Sequence, residues 1–294
     1  MHTKKMRANA LLLLTAFIWG MAFVAQSSGM ENCGPFLFNG VRSVIGGFVL
    51  LPVIAFLDKK NTAEKSTKKW PLLGGICCGL VLFAASSLQQ IGIIDSGAGK
   101  AGFITALYVV LVPVFSLVLG KKTTLVTWMS VAIALFGMYL LCMDGSSFKI
   151  SVGDFLLLGC AILFAVHIMV IDRFAPTSDC VRMSCIQFFV AGLCSLITAL
   201  FTEEIRVAYV TAAALPILYT GVLSSGVAYT LQIVAQKDTD PTSAALICSL
   251  ESVFALLGGW LLMQESFTVR ELLGCVLTFG AIILSQLPIF QHRK

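Results

Sequence analysis

Phe103–Leu141 reads FITALYVVLVPVFSLVLGKKTTLVTWMSVAIALFGMYLL, and Leu246–Leu284 reads LICSLESVFALLGGWLLMQESFTVRELLGCVLTFGAIIL. At a shift of 143 positions the two segments lie on each other without a gap. Ile104 falls on Ile247, Leu107 on Leu250, Val110 on Val253, and Phe136-Gly137 on Phe279-Gly280. The same shift carries Ala85, Leu88, Gln89 and Asp95 onto Ala228, Leu231, Gln232 and Asp238. Leucine on valine between two apolar helices is a cheap match. A glutamine on a glutamine inside apolar runs, along an ungapped stretch, is not. An internal repeat of this length bears on the whole architecture, so it is read before single residues.

The composition gives the solvent. The chain has 294 residues, 58% hydrophobic and 12% charged, with a mean hydropathy of +0.93. A water-soluble domain carries roughly 25% charged residues; this one lacks the polar surface to clothe itself in water. Apolar runs fall at about 8–29, 35–57, 70–92, 98–119, 125–143, 153–171, 183–202, 211–235, 241–263 and 269–287. Each is close to the ~20 residues that cross a bilayer as a helix. The run after Lys4, Lys5 and Arg7 continues past Trp19 and Phe23 to Gly29, which makes it a retained first span and not a cleaved leader. The longest polar linker is Asp58–Lys69, and no soluble domain is inserted.

The net charge of +5 matters less than its placement. With a cytoplasmic N-terminus, fifteen Lys and Arg residues fall on the cytoplasmic side and four (Lys100, Lys149, Arg206 and Arg270) on the other, while Arg42 lies inside a span. Lys and Arg concentrate on the cytoplasmic side of membrane proteins, so both termini are expected in the cytoplasm and the number of spans is even. The expected fold is all-α and integral to the membrane: ten helices as two five-helix repeats, residues 8–143 and 152–287. Five is odd, so the second copy enters the membrane upside down. Inverted repeats underlie many secondary transporters, with the substrate near the midplane between the halves.

Ser249–Glu265 (SLESVFALLGGWLLMQE), followed by Gly274–Gly280 (GCVLTFG), resembles the second-half signature of the EamA type of the drug/metabolite transporter superfamily. Phe103–Val114 (FITALYVVLVPV) resembles its first-half counterpart, and Trp19-Gly20 and Arg42 also fit. The likeness covers nearly the whole chain as two such domains. Two departures stand out: Gly120-Lys121-Lys122 where the family often has Gly-Glu, and Ser252 where a proline commonly follows the glutamate. The resemblance implies a ten-helix carrier, with exporters of amino acids and other metabolites among its kin. It does not single out a substrate.

Charges at the bilayer centre cost roughly 2.5–3.5 kcal/mol on insertion scales, so those retained are the first functional candidates. Glu251 lies mid-span on a face of small residues, Ala244, Cys248, Ala255 and Gly258, by helical spacing. It is read either as the site for a substrate ammonium or a coupling proton, or as a structural hydrogen-bonding group. Tyr108 matches Glu251 at the repeat shift and is expected to face the same cavity. Gln89 shares a face with Ala85 and Ser86, and Gln232 shares one with Ser225, Ala228 and Tyr229. These amides and hydroxyls suit a polar cavity for a zwitterion, with interhelical hydrogen bonding as the alternative. Trp19 is a further candidate lining residue, or a packing or interface residue. Pro113 is expected to kink its span and is a candidate hinge, with a tolerated bend as the bland alternative. Arg42 is expected to snorkel or pair structurally, with anion attraction as the alternative. Asp95 and Lys100 flank the outer end of the fourth span, as gating residues or as solvated charges.

His167 is a candidate for proton coupling. With Asp172 it spells H-x4-D, a pattern of glycerolipid acyltransferases, but five steps of 100° leave the two groups about 140° apart on a regular helix. No GxxxxGK[ST] stretch occurs to cradle ATP, and no HExxH motif occurs. The ten cysteines lie mostly in apolar runs, with no CxxC pair; they read as packing residues, not as disulfide or metal sites. The expectation is a cofactor-free, non-enzymatic, multi-pass protein of the cell (inner or plasma) membrane. It exchanges small polar metabolites, amino-acid-like solutes, by alternating access, as an exporter, with the lipid bilayer and the solute as its partners and no nucleic acid. A homodimer is compatible with the sequence. The alternatives are a membrane-embedded enzyme acting on lipid and a non-transporting scaffold or sensor.

Overall fold

Backbone groups in hydrocarbon have no water to bond, so each apolar run must satisfy its own N–H and C=O groups as a helix. In the computed structural model, which describes residues 2–31, 33–60, 71–96, 98–121, 123–142, 151–263 and 268–286, no strand occurs among the described residues. The linker 61–70, the side chain of Lys100, and residues 287–294 lie outside the described residues. The helices are α1 (His2–Met30), α2 (Pro35–Lys60), α3 (Pro71–Ser96), α4 (Ala98–Ala106), α5 (Tyr108–Val118), α6 (Leu125–Cys142) and α7 (Val152–Phe174). After these come α8 (Cys180–Thr202), α9 (Val207–Ala212), α10 (Ala214–Leu218), a π-helix (Tyr219–Tyr229), α11 (Thr230–Gln236), α12 (Pro241–Cys248), α13 (Glu251–Met263) and α14 (Val269–Gln286).

Nine helical stretches among the described residues are long and apolar enough to cross a membrane; Leu125–Leu141 is a tenth, shorter apolar helix. Helix starts are capped where the sequence supplies short polar side chains. Ser151 and Asp154 form a reciprocal capping box on α7. Asp179 accepts from Val181 N and Arg182 N at the head of α8, and Asp240 accepts from Ser243 N ahead of Pro241 in α12. The first turn of α2 is capped from a distance: Glu203, just past α8, accepts from Phe36 N and Leu37 N, each at 2.8 Å.

Three of the membrane-crossing stretches are irregular. The fourth breaks at Leu107, between α4 and α5. Pro241–Gly258 breaks at Ser249-Leu250, between α12 and α13. There the Ser249 hydroxyl donates to Leu246 O at 2.7 Å and the Ser252 hydroxyl to Ser249 O at 2.8 Å, so side chains satisfy carbonyls near the break. Ala214–Gln236 is π-helical for eleven residues. Pro113 sits inside α5, six positions beyond the break in its span.

Helices related by the 143-residue shift make matching contacts. Helix α2 packs on its counterpart α8, α6 on its counterpart α14, and the α5–α12 contact has its counterpart between α13 and α4. The α3–α7 contact has its counterpart between the π-helix with α11 and α1; α3–α8 has its counterpart between the π-helix and α2; α5–α7 has its counterpart between α13 and α1. Glycines allow the closest approaches. A Cβ on Gly20 would stand 2.5 Å from Phe254 Cβ and 2.7 Å from Glu251 O, so α1 can meet α13 this closely only without a side chain there. Gly274 likewise lies against Gly137 O, where α14 crosses α6.

The largest dry core includes Leu12, Val112, Met138, Ala165, Leu246 and Leu250. The outer faces present Phe48, Phe56, Phe136, Phe155 and Phe201, large exposed apolar groups suited to lipid. Asn9 in α1 donates to Gln286 Oε1 at the end of α14 over 3.0 Å, which places the two ends of the described chain on one face of the bundle.

Candidate functional site

A cavity of about 410 Å³, its mouth included, lies among the helices. Trp19, Phe23 and Gln26 reach it from α1, and Arg42 from α2; Gln89 comes from α3, Thr105 from α4 and Tyr108 from α5. Phe164 of α7, Ser224 and Tyr229 of the π-helix, and Glu251 of α13 complete the wall.

Both helix breaks end at this cavity. Tyr108 is the first residue of α5 and Glu251 the first of α13. The Tyr108 hydroxyl donates to Glu251 Oε1 at 3.1 Å, joining two residues 143 positions apart. The repeat shift found in the sequence is thus also a physical contact between the two copies. The position of Glu251 in a first helical turn suits its charge, because free N–H groups there carry partial positive charge. It is 6% exposed.

Arg42 is the other charge of the wall and is also 6% exposed. Its Nη1 donates to Gln26 Oε1 at 3.0 Å, and its guanidinium stands 5.7 Å from the Phe38 ring centroid. It neither snorkels nor pairs with an acid: no ion pair among the described residues includes Arg42 or Glu251. Arg42 Nε and Trp19 Nε1 are buried without a protein hydrogen-bond partner. The wall therefore offers one carboxylate, one guanidinium, amides and hydroxyls, backed by aromatic rings.

Tyr229 is held by rings on several sides: Trp19 at 4.6 Å, Phe188 at 5.6 Å and His167 at 6.0 Å between centroids. His167 is outside the wall, behind Tyr229, with its Nε2 3.1 Å from Gln187 Oε1. Asp172 pairs instead with Lys121, so the H-x4-D residues serve different partners. Of the residues singled out in the sequence, Trp19, Arg42, Gln89, Tyr108, Tyr229 and Glu251 come together at the cavity. Gln232 is buried one turn past Tyr229 with its Oε1 unpartnered, and it does not line the wall. Ser225 faces α2 instead, where a Cβ on Gly46 would stand 2.7 Å from its own Cβ. Its neighbour Ser224 takes the cavity position. Asp95 accepts from Gly153 N at 2.8 Å, at the head of α7.

Sequence reasoning missed Gln26, Thr105, Ser224, Phe23 and Phe164. Two of them carried a signal: Gln26 is two turns beyond Trp19 on one face of α1, and Thr105 is three residues before Tyr108.

Comparison with known proteins points the same way as this geometry. The model of the EamA-like transporter family matches residues 6–143 and again residues 151–287. An uncharacterized transporter of Archaeoglobus fulgidus is 31% identical over 287 residues, covering 97% of this chain and 88% of that one. The uncharacterized transporter YoaV of Bacillus subtilis is 24% identical over 96% of this chain and 97% of its own. The uncharacterized inner membrane transporter YedA of Escherichia coli is 26% identical over 91% and 86% respectively. A solved crystal structure shares the fold, with a TM-score of 0.81 over 97% of both chains at 17% identity. With two family matches that together span most of its length and nine helices among the described residues fit to cross a membrane, the chain belongs to the EamA-like transporter family and is a multi-pass membrane transporter.

Proposed function

We propose that the protein is a secondary transporter of the cell membrane that exports small polar, amino-acid-like solutes by alternating access, with the central cavity as its substrate site. In this reading the chain crosses the membrane ten times, as inverted repeats over residues 8–143 and 152–287, with both termini in the cytoplasm. The Asn9–Gln286 bond supports an even number of crossings, with Leu125–Leu141 as the tenth. The Lys and Arg distribution supports the orientation. Export, rather than uptake, rests on the family resemblance.

The observation that carries the proposal is the Tyr108–Glu251 bond at the meeting of two broken helices. Discontinuous helices at a repeat interface are where many secondary transporters bind solute, and rocking of one half against the other would expose that site to each side in turn. Glu251 is proposed to receive the substrate ammonium or a coupling proton. Gln89, Tyr108, Tyr229 and Trp19 are proposed to shape the cavity around the solute. His167, with Gln187, would act through Tyr229, which it flanks. The reading of a lipid-modifying enzyme gains nothing from His167 and Asp172, which have separate partners.

The test is counterflow of a solute panel in proteoliposomes, with wild type beside Glu251→Gln. Wild-type exchange of at least one amino-acid-like solute, reduced roughly tenfold or more in the correctly folded variant, is the expected result. A chemically altered solute would point to an enzyme. Unchanged exchange by the variant would return Glu251 to a structural role.

A further inference from the structure

We infer that the Arg42 end of the cavity seats a carboxylate group of the transported solute, with Gln26 as the positioning residue. The inference rests on the carrier reading above and gives its site a second pole. Arg42 lines the cavity with its side chain almost wholly buried. A buried charge is costly unless it is paired. Its hydrogen-bond and ring contacts are one neutral amide and one aromatic face, with the Tyr229 phenol nearby, and none of these is a carboxylate. Glu251, the only acid of the wall, bonds Tyr108 and is not within 4.0 Å of Arg42.

Two donor groups near this cavity, Arg42 Nε and Trp19 Nε1, lack any protein acceptor. A carboxylate supplies acceptors and the missing charge in one group, and the planar guanidinium fork matches its geometry. Gln26 Oε1 holds Nη1 and so fixes the plane of the fork. The separation from Glu251 then has a use: an ammonium at Glu251 and a carboxylate at Arg42 are the two ends of a zwitterion.

The test uses matched probes on the full-length protein: amino acids, their uncharged carboxamides, the corresponding decarboxylated amines, and short monocarboxylates. Binding is read from the melting temperature of purified protein, and transport from counterflow in proteoliposomes. Wild type is expected to prefer an amino acid over its carboxamide by roughly tenfold or more, the size of a lost charge-assisted hydrogen bond. Arg42→Gln is expected to erase that preference and leave carboxamide affinity within about twofold. Gln26→Glu places an acid beside Arg42 that competes with the ligand, so it should also weaken amino-acid binding without lowering the melting temperature of the free protein. A merely structural Arg42 would be reinforced by that substitution with no change in preference.

Equal binding of acid and carboxamide by wild type would overturn the inference. So would an Arg42→Gln protein that folds and loses both ligands alike. Wild type that exchanges amines but no carboxylate would refute the carboxylate pole and leave the carrier standing. Carboxylates that bind through Arg42 but never exchange would do the reverse. A panel that neither binds nor moves would sink both.

Discussion

Glu251 and Tyr108 hold equivalent repeat positions in sequence and share a hydrogen bond in space. A carboxylate in a low-dielectric wall gains more from a hydroxyl donor than it would in water, and a hydrogen bond to a charged group is worth roughly 1.5–3 kcal/mol. Tyr108→Phe keeps the ring and removes the donor, so counterflow is expected to fall by about tenfold, with a lowered melting temperature. Full activity in that variant would show that the bond is incidental to the cavity. Arg42 teaches the opposite lesson. Its position near the start of a span suggests snorkelling or structural pairing; α2 packs on α8, the π-helix and α3, and Arg42 turns inward to Gln26. Spacing along one helix does not say which neighbour lies over a given face.

The π-helix accounts for the displaced serine. In an α-helix Ser225 and Tyr229 are one turn apart and share a face, whereas Ser224 and Tyr229, five residues apart, diverge by about 140°. A π-helix closes its hydrogen bonds between residues five apart, and its wider turn brings Ser224 nearer the Tyr229 face, while Ser225 packs against Gly46 of α2. Gly221 and Gly226 share the α2-facing side, and the Thr230 hydroxyl donates to Gly226 O at 2.7 Å. Ser224→Ala is therefore expected to change substrate affinity by roughly threefold to tenfold, while Ser225→Ala changes it little. The reverse outcome in equilibrium binding would mean that this span is regular when solute is bound. Long π stretches are rare and gather at functional sites, and nothing in the residue pattern of YTGVLSSGVAY announces one.

For the molecule as a whole, the repeat governs the arrangement of helices. The main helix contacts have counterparts at the same shift, from α5–α7 with α13–α1 to α3–α8 with the π-helix and α2. The proposed orientation makes a direct prediction. A green fluorescent protein fused after Lys294 should be bright, and a phosphatase that folds only outside the cytoplasm should be inactive at the same place. A dark fluorescent fusion with an active phosphatase would reverse the topology. The exposed ion pairs Arg182–Asp58 and Lys121–Asp172 lie on the face expected to be cytoplasmic. Surface pairs of this kind contribute roughly 0–1 kcal/mol. They are minor beside the apolar packing of Leu12, Val112, Leu246 and Leu250.

Composition and periodicity were enough for the apolar helices, the repeat, and the placing of Tyr108 and Glu251 at one cavity, though not for the bond between them. Each follows from one-dimensional rules: hydrocarbon demands closed backbone hydrogen bonds, and a duplicated segment keeps its spacing. Gln89, Trp19 and Tyr229 were also legible, as polar or amphipathic groups retained where retention is costly. The fates of Ser224, Ser225, Gln232 and Arg42 were not. They depend on helix phase and on which helix crosses over which face. Those are set by close approaches such as Gly20 on Glu251 O and Gly46 on Ser225, and by a π pitch that only packing against α2 and α1 selects. A one-residue change of phase moves a side chain by about 100° around its helix, enough to turn a cavity residue into a packing residue.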